Sequence, residues 1–431
     1  MTTFGNGRRV AIVAGVRTPF ARSGTALKNM SAIDLGKACV AELIQRTSLD
    51  GKEVDALVFG TVVQSVLAPN IAREVSLIPL LPKGVQAVTV GRACASANQA
   101  ITDGADQIAL GHASVVIAGG AESLSNVPIL HSRGFSDALV TASRAKTLTG
   151  RMKAISRVRP KDFIPITPAI AEPSTGETMG QSAEKMAKIN HITRDEQDQF
   201  ALRSHRLASA GTKDGRLTAE IAPLYVPPKY ETVLTSDNGI RDDTNIDALA
   251  ALKPVFDRRY GTVTAGNSSP LTDGAAAVLL MSEDRASTLG YPPLGFIRSY
   301  AYAALDPGEQ LLQAPVLAAP VALQRAGLSL RDIDLVEMHE AFAAQVLSNL
   351  RGFESQEWAE RAGFSEPVGE VDRARLNVMG GSIAIGHPFG ATGARITTTL
   401  LNELGRRGGQ FGLMTVCAAG GMGFAMVVER Q

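Results

Sequence analysis

Apolar runs that are typical of buried strands alternate with helix-like segments along nearly the whole chain. Residues 8–16 (RRVAIVAGV) and 55–63 (DALVFGTVV) are rich in β-branched and other apolar side chains, which predicts two strands. Residues 32–47 (AIDLGKACVAELIQRT) place their apolar side chains at helical spacing, and Cys39 among them is interpreted as a core residue. This alternation predicts the α/β class of fold.

The second half of the chain repeats the pattern of the first. Two pairs of segments resemble each other along the chain: 48–60 with 329–340, and 273–283 with 420–430. Each half also holds a strand, a turn of small residues and a helix, around Cys94 in one half and within 380–396 in the other. We interpret this as a duplicated α/β unit, with coincidental rhythm as the alternative.

A proline-rich stretch with few strand-like apolar runs separates the two halves and is predicted to be an inserted loop domain. The predicted boundaries are 1–125 plus 256–288 for the first half, 126–255 for the loop domain and 289–431 for the second half. Within the insertion, 133–161 carries eight Lys or Arg residues against one acid, Asp137. A solvated basic face is one interpretation, and a site for phosphates, a partner or a membrane surface is the other.

Length and composition narrow the classes of function. A chain of 431 residues exceeds one ordinary core, so two or three domains are expected. The net charge of +1 gives no global attraction to nucleic acid or membranes, and no apolar run reaches transmembrane length. Three widely spaced cysteines and an N-terminus without an apolar signal region predict a cytoplasmic protein with neither disulfides nor a metal site.

Cys94 lies between a short β-branched run and a segment of helical periodicity, in the sequence VTVGRACASANQA (88–100). Free N–H groups and the helix dipole at a helix start favour an anion, which predicts a lowered pKa and a nucleophilic thiolate. An inert buried thiol is the alternative. The neighbours of Cys94 are small enough to admit a bulky substrate: Ala93, Ala95, Ser96 and Ala97.

A thiol nucleophile needs a base, and two of the six histidines follow apolar segments at predicted loop ends. His387 lies in the glycine-rich turn GHPFGATG, where close approach of the backbone is possible. His339 lies in EMHEAFAAQ, where a capping or core role is the alternative. Cys417 ends a predicted strand in LMTVCAAGGMG. Open α/β sheets bind ligands at such strand ends, and the remaining histidines are interpreted as surface residues: His112, His131, His191 and His205.

The sequence resembles the thiolase family of acyl-CoA C-acyltransferases from about Val10 to Glu429. Six blocks carry the resemblance: CASANQA around Cys94, HEAFA at 339–343, GGSIAIGHPFGATGAR around His387, CAAGGMG at Cys417, GTVTAGNSSPLTDGAAA at 261–277 and GGAES at 119–123. The resemblance implies a five-layered αβαβα fold of two similar halves, with a loop domain inserted in the first. It also implies that coenzyme A is a substrate and that no cofactor is needed.

Roles for the reactive residues follow from the resemblance. It implies that Cys94 carries the acyl group as a thioester, that His387 activates its thiol, and that Cys417 is the acid and base at the α-carbon of acetyl-CoA. His387 with His339 is implied as one oxyanion site, and the backbone N–H groups of Cys94 and Ala419 as the other. Five further residues are implied as coenzyme A contacts: Ser269, Arg241, Met179, Ala341 and Phe342.

Three motifs depart from the commonest family pattern. His339 replaces the asparagine of NEAFA, Ala419 replaces a glycine of CAGGG, and CASANQA replaces CxSGxQA. These variants are similar to thiolase subunits of fatty-acid-oxidising trifunctional complexes. They imply a 3-ketoacyl-CoA thiolase of β-oxidation, a homo-oligomer (dimer or tetramer), and a partner subunit with hydratase and 3-hydroxyacyl-CoA dehydrogenase activities.

Other functions share some or all of these residues. An acetyl-CoA acetyltransferase that makes acetoacetyl-CoA would use the same residues. A decarboxylating ketosynthase would use Cys94, His339 and His387, but it would not need Cys417. A thiolase-like lipid-binding protein would be expected to lack a reactive residue, and a cysteine protease would explain neither the second thiol nor the repeat.

Overall fold

The computed structural model describes residues 8–166 and 171–431, which fall into two compact units. The larger unit lies within Met1–Asn126 and Glu172–Gln431, and the smaller within Val127–Ala171. Residues 172–255 therefore belong to the larger unit, and the division into two halves and a loop domain stays a prediction.

Ten strands of the larger unit form one mixed sheet, and two short strands pair separately. The strands are β1 (Val10–Arg17), β2 (Ala21–Arg22), β3 (Ala56–Gly60), β4 (Gln86–Val90), β5 (Val115–Glu122), β6 (Leu224–Tyr225), β7 (Val233–Leu234), β8 (Thr272–Ser282), β9 (Gly295–Ala304), β10 (Leu335–Met338), β11 (Phe411–Ala418) and β12 (Met422–Glu429). The order in the large sheet is β10-β11-β12-β9-β1-β8-β5-β3-β4, with β2 beside β8, and β6 pairs with β7.

Helices connect most of these strands. They are α1 (Ala32–Thr47), α2 (Ile71–Ser76), α3 (Ser96–Ala109), α4 (Arg133–Arg144), α5 (Leu148–Ile155), α6 (Met179–Ile189), α7 (Arg194–Lys213), α8 (Ile246–Ala250), α9 (Glu283–Leu289), α10 (Pro315–Ala326), α11 (Ala343–Phe353), α12 (Gln356–Arg361), α13 (Ser382–Ile385) and α14 (Thr392–Arg407). None of the helices in the described ranges combines the length and apolar character that a membrane span requires.

The large sheet consists of two halves that meet at a short seam. Strands β3, β4 and β5 run parallel in the first half, and β10 and β11 run parallel in the second. The halves join where β1 pairs with β9, through Ala11 with Phe296 and Ile12 with Gly295. Parallel neighbours need crossover helices that cover the sheet faces, so both halves bury both faces.

Three apolar clusters divide the larger unit into five layers. Helices α1 and α2 cover the outer face of the first half-sheet, and α10 and α11 cover the outer face of the second. Helices α3 and α14 pack between the two half-sheets, where Leu400, Met414 and Phe424 are fully buried. Burying each such side chain contributes roughly 1.5–3 kcal/mol. The resulting order of layers, αβαβα, confirms the predicted fold.

Local sequence signals explain where several elements begin and end. Helix α1 spans the predicted 32–47, because the Ser31 side chain accepts a hydrogen bond from the Asp34 N–H and the Asp34 carboxylate accepts one from the Ser31 N–H. Ser48 ends that helix in a left-handed conformation. The strands predicted at 8–16 and 55–63 are confirmed as β1 and β3.

The segment before His387 is a helical turn, Ser382–Ile385, and not the strand that the repeat predicted. Gly386 follows it with a φ of +113°, and a Cβ there would lie 2.7 Å from Thr272 Oγ1. Only glycine fits this combination of backbone angle and close contact. The next N–H, that of His387, donates to the same Thr272 oxygen at 3.0 Å, which fixes the histidine against β8.

The smaller unit has a surface that mixes cations with apolar side chains. All eight Lys and Arg residues of 133–161 are exposed. Helices α4 and α5 bury little besides Ala138 and Ala154, and Leu148 is 74% exposed and Met152 65% exposed. A purely solvated face would carry few apolar side chains, so this composition favours a contact surface.

Glu122, at the end of β5, ties together two loops that frame the site. Its carboxylate accepts hydrogen bonds from the N–H groups of Val62 (2.9 Å), Val63 (2.9 Å) and Gly390 (3.0 Å) and from the hydroxyl of Thr61 (3.2 Å). Burial raises the pKa of the carboxyl group, and these donors oppose that rise. Glu122 thereby links the end of β3 to the loop that follows His387.

We predict that Glu122→Gln lowers the free energy of unfolding by about 2–4 kcal/mol. The NH₂ of glutamine replaces a carboxylate oxygen that accepts two hydrogen bonds, and because NH₂ cannot accept, two buried donors lose their partner. The measurement is urea unfolding followed by circular dichroism. Glu42→Gln is the matched control, since Glu42 pairs with Arg46 on the surface and such pairs contribute at most about 1 kcal/mol. Equal unfolding midpoints for the two variants would contradict the prediction.

Candidate active site

Cys94 lies in the turn between β4 and α3, as the sequence predicted. Ser96 Oγ accepts a hydrogen bond from the Arg92 N–H at 2.8 Å and donates to the Ala93 carbonyl at 2.7 Å, which closes the turn. Ala93 has a φ of +44°, a left-handed conformation that is uncommon for residues other than glycine. This tight turn holds Cys94 just before the first turn of α3.

The predicted lowering of the Cys94 pKa is wrong. Burial raises the pKa of the Cys94 thiol to about 12, and the negative charge of Glu122 adds to the rise. The backbone N–H groups of Ala419 and of Cys94 itself only partly offset it. The helix start therefore does not outweigh desolvation, and the thiol keeps its proton at neutral pH until a base removes it.

Two buried histidines adjoin this thiol. The sulfur of Cys94 and one ring nitrogen each of His339 and His387 lie within 4.8 Å of one another, and the ring centroids of the histidines are 4.1 Å apart. The Nε2 atoms of both rings have no hydrogen-bond partner in the part of the chain that the structure describes. Buried polar atoms are rarely left in this state, so both nitrogens are available to a substrate.

The contacts of His387 leave one ring nitrogen free to accept a proton. Its Nδ1 lies 2.7 Å from Thr392 Oγ1, and the Thr392 hydroxyl donates to the Pro388 carbonyl at 3.4 Å. Thr392 therefore accepts the Nδ1 proton, which leaves a lone pair on Nε2. Burial and the charge of Arg395 lower the pKa of His387 to about 3, so the ring is neutral at physiological pH and can accept a proton.

His339 is held by the loop that follows β10. Its backbone N–H donates to the Thr415 carbonyl at 2.9 Å, and its Nδ1 lies 3.0 Å from Ser382 Oγ. Burial and the neighbouring charges of His387 and Arg395 lower its pKa well below the usual value, so this ring is neutral too. The structure thus brings His339 into the cluster around Cys94.

Cys417 lies one residue before the end of β11 and is buried in the apolar cluster under the second half. Burial raises its pKa well above the ordinary thiol value, and charge on Cys94 raises it further. The second effect places the two thiols within electrostatic range of each other. Cys94 from the first half and His339 and His387 from the second therefore converge, and Cys417 interacts electrostatically with Cys94.

Sequence reasoning missed the buried polar groups behind this cluster. Arg395 is fully buried, with its Nη2 donating to Ser382 Oγ at 3.0 Å and its Nη1 lying 3.9 Å from a Glu337 carboxylate oxygen. Burial raises the pKa of Glu337 to about 8 despite that guanidinium. Glu340 accepts hydrogen bonds from Asn377 and from the Ile383 N–H, which anchors the turn beside His339. Ser382 and Arg395 both lie in the glycine-rich motif around His387, and that motif was the sequence feature that could have identified them.

A groove of about 180 Å³ is lined in part by sequence neighbours of residues in this cluster. Its lining residues are Arg22, His205, Gly239, Arg241, Thr244, Ala248, Leu249, Leu252, Ala265, Gly266, Ser268, Pro270 and Ile383. Arg22 and Arg241 supply positive charge to this groove. Pro270 and Ile383, also in its lining, are sequence neighbours of Leu271, which pairs with His387, and of Ser382. The groove therefore combines two cations with residues that adjoin the partners of the reactive histidines in sequence.

The predicted coenzyme A contacts are only partly in this groove. Arg241 lines it, whereas Ser269 lies beside it and donates its N–H to the Ala341 carbonyl at 2.9 Å. Met179 and Phe342 pack on the apolar cluster under the second half. The surface assignment of His205 is wrong, because this ring is 5% exposed and its Nδ1 accepts the Arg241 N–H at 3.2 Å.

A second, larger cleft of about 520 Å³ lies between residues 329 and 375. Its lining, like that of the groove, includes none of the four reactive side chains, and unlike the groove it contains no sequence neighbour of Ser382 or Leu271. Volume alone therefore does not identify the reactive site.

A partly buried thiol beside two neutral imidazoles, with a second thiol within electrostatic range, fits an acyl-transfer enzyme of the α/β class. Residues 10–284 match the family model "Thiolase, N-terminal domain" and 291–430 match "Thiolase, C-terminal domain". The chain belongs to the thiolase family and is an acyltransferase.

Relatives and solved structures agree with this assignment. The 3-ketoacyl-CoA thiolases of Serratia proteamaculans and Pectobacterium carotovorum are each 52% identical to this chain, covering 98% of it and 97% of their own length. Human mitochondrial 3-ketoacyl-CoA thiolase matches with a TM-score of 0.83 at 34% identity, over 98% of this chain and 99% of that one. The acetyl-CoA acetyltransferase of Bacillus anthracis also matches with a TM-score of 0.83 at 34% identity, over 98% of both chains.

We predict that alkylation of Cys94 by iodoacetamide keeps accelerating between about pH 7 and 10, because the thiolate fraction of a thiol with a raised pKa grows throughout this range. An ordinary thiol levels off above its pKa of roughly 8.5. The measurement is the rate of labelling of the peptide that contains Cys94, by mass spectrometry. Cys94→Ser is the control and should label slowly, since Cys39 and Cys417 are buried. A plateau near neutral pH would contradict the prediction.

Proposed function

We propose that this chain is a 3-ketoacyl-CoA thiolase, which uses coenzyme A to cleave 3-ketoacyl-CoA into acetyl-CoA and a shortened acyl-CoA during fatty-acid β-oxidation. The observation that carries this proposal is the placement of two neutral imidazoles within 4.8 Å of the Cys94 sulfur, with Cys417 in electrostatic range of that thiol. The names of the Serratia and Pectobacterium relatives support it.

In the first half-reaction, His387 Nε2 takes the proton of the Cys94 thiol, and the sulfur attacks the 3-keto carbon of the substrate. The bond between C2 and C3 then breaks, and its electron pair passes to C2 of the departing acetyl-CoA enolate. The Cys417 thiol protonates C2, which suits a group whose raised pKa keeps it protonated at rest. Acetyl-CoA leaves, and the shortened acyl group remains on Cys94 as a thioester.

In the second half-reaction, the Cys417 thiolate takes the proton of an incoming coenzyme A thiol. The coenzyme A sulfur attacks the thioester carbonyl, and the bond to Cys94 breaks. The departing Cys94 thiolate recovers its proton from the His387 imidazolium. Both thiols and the imidazole return to their starting protonation states, so the cycle balances without a further acid or base.

Negative charge develops on oxygen in both half-reactions and needs aimed donors. We assign the Nε2 atoms of His339 and of protonated His387 to one oxyanion, and the N–H groups of Cys94 and Ala419 to the other. The unpartnered state of both Nε2 atoms and the approach of both N–H groups to the Cys94 sulfur support this assignment. Each donor acts in a desolvated site, where it is worth more than in water.

We assign the groove to coenzyme A as a substrate, with no resident cofactor. The phosphates would lie near Arg22 and Arg241, and the pantetheine arm would pass Ser268 toward Cys94. The proximity of those two arginines supports this direction, because it gives that part of the groove a local positive potential. Ser269, Ala341, Phe342 and Met179 stay proposed contacts near the thiol end.

We predict a kcat/KM for CoA-dependent cleavage at least about 10-fold higher with 3-ketohexadecanoyl-CoA than with acetoacetyl-CoA, the size expected from extra buried methylene groups. The measurement is a steady-state assay of both substrates. A preference for acetoacetyl-CoA would favour an acetyl-CoA acetyltransferase, the function named for the Bacillus anthracis structure.

Two variants serve as controls for this assay. Cys94→Ala should abolish cleavage of both substrates. Cys417→Ala should slow thiolysis by roughly 100-fold or more, the contribution of general acid–base catalysis, while the acyl group still loads onto Cys94. Near-normal turnover in Cys417→Ala would instead favour the ketosynthase alternative, in which only Cys94, His339 and His387 react.

We further propose a cytoplasmic homo-oligomer that docks a hydratase and 3-hydroxyacyl-CoA dehydrogenase subunit through the basic and apolar surface of 133–161. The exposure of its eight cations together with Leu148 and Met152 supports a partner surface. The expected result is co-purification with the hydratase–dehydrogenase chain from the soluble cell fraction. Loss of binding in a Leu148→Ser, Met152→Ser variant would locate the contact. A monodisperse homo-oligomer that binds no such chain would contradict it.

A further inference from the structure

Ser382 connects His339 to a buried arginine. Its Oγ lies 3.0 Å from His339 Nδ1 and 3.0 Å from Arg395 Nη2. Ser382 and His339 are 0% exposed and Arg395 is 1% exposed, so bulk water does not compete for these hydrogen bonds. Neither Ser382 nor Arg395 has a place in the reaction steps above.

The Arg395 guanidinium limits which hydrogen bonds the Ser382 hydroxyl can make. Arginine N–H groups can only donate, so Arg395 occupies a lone pair of Ser382 Oγ. Among the described residues, His339 Nδ1 is the acceptor that lies within hydrogen-bond distance of the Ser382 hydroxyl, and a buried hydroxyl proton without an acceptor would be costly. Ser382 therefore donates to Nδ1, and the single proton of the neutral His339 imidazole is assigned to Nε2.

His387 has the opposite arrangement. Its Nδ1–H donates to Thr392 Oγ1 at 2.7 Å, which leaves Nε2 without a proton. The rings of His339 and His387 are 4.1 Å apart, and both Nε2 atoms lack a partner among the described residues. The contact of His339 Nδ1 with Ser382 and that of His387 Nδ1 with Thr392 thus make one Nε2 a hydrogen-bond donor and the other an acceptor.

We infer that Ser382 and Arg395 are positioning residues that hold His339 as a permanent Nε2–H donor, aimed at the oxyanion that forms when Cys94 is acylated. This inference rests on the proposed thiolysis. Arg395 also keeps its positive charge close to the ring, because its nearest carboxylate, that of Glu337, is 3.9 Å away. A second proton on His339 would bring two positive groups together in a buried space.

A purely structural role for Ser382 would move stability but not the protonated nitrogen of His339. The first experiment therefore uses the unaltered chain, with ¹⁵N-labelled histidine and NMR detection of the six imidazoles. His339→Asn identifies the His339 signals by their loss. The expected result is a protonated Nε2 and an unprotonated Nδ1 on His339 at neutral pH. A protonated Nδ1 would overturn the inference, whatever the activity of the enzyme.

The second experiment compares Ser382→Ala with Ser348→Ala. Ser348 is also fully buried, and its hydroxyl has no hydrogen-bond partner among the described residues, so it is a matched loss of one oxygen. We expect Ser382→Ala to lower kcat about 10- to 100-fold, the range for removing a partner that orients a functional imidazole. KM should change less than about twofold, because the lost interaction acts in the transition state. Ser348→Ala should retain wild-type kcat.

Further outcomes separate this inference from the proposed function. In Ser382→Ala, the His339 signals should shift toward a mixture of both protonated forms, and Ser382→Thr should restore the wild-type form. A folded Ser382→Ala protein with unchanged kcat would overturn the inference. If the unaltered chain cleaves no 3-ketoacyl-CoA, the proposed function fails, whereas the NMR result still tests the hydrogen-bond arrangement. If Ser382→Ala does not fold, the NMR result on the unaltered chain decides.

Discussion

Desolvation is the constraint on which the rest of this site depends. Cys417, His339 and His387 are buried, and Cys94 is partly buried beside the two histidines. Burial disfavours every charged form, so both thiols hold their protons and both imidazoles stay neutral. The resting site therefore contains no strong nucleophile. Reactivity arises only when a substrate fills the space and a proton passes from sulfur to an adjacent nitrogen.

The backbone makes this enclosure possible. A Cβ on Gly120 would lie 1.9 Å from the Gly390 carbonyl oxygen, and one on Gly393 would lie 2.2 Å from Asn98 Oδ1. The loop after His387 can therefore press directly onto β5 and α3, and Glu122 fixes it there. The clustering of small residues in the glycine-rich motif reflects this close packing of backbone on backbone.

The fold and the reactive residues were predictable from sequence because their signals are local. Helix α1 was predicted with its observed ends, and Cys94 and Cys417 were placed at strand ends by the apolar runs before them. The Cys94 pKa was predicted with the wrong sign, since a helix start is visible in sequence but the enclosure by residues more than 200 positions away is not. His205 was misassigned for the same reason, because its burial depends on the segment that carries Arg241.

The division of the reactive groups between the two half-sheets determines when the active site can form during synthesis of the chain. Cys94 emerges long before His339, His387 and Cys417, and its neighbouring Glu122 cannot acquire the Gly390 N–H until the last quarter of the chain is made. A partly synthesised chain thus holds Cys94 without either of its imidazole neighbours. Catalytic competence therefore requires synthesis to extend beyond His387, so release from the ribosome and activity come close together in time.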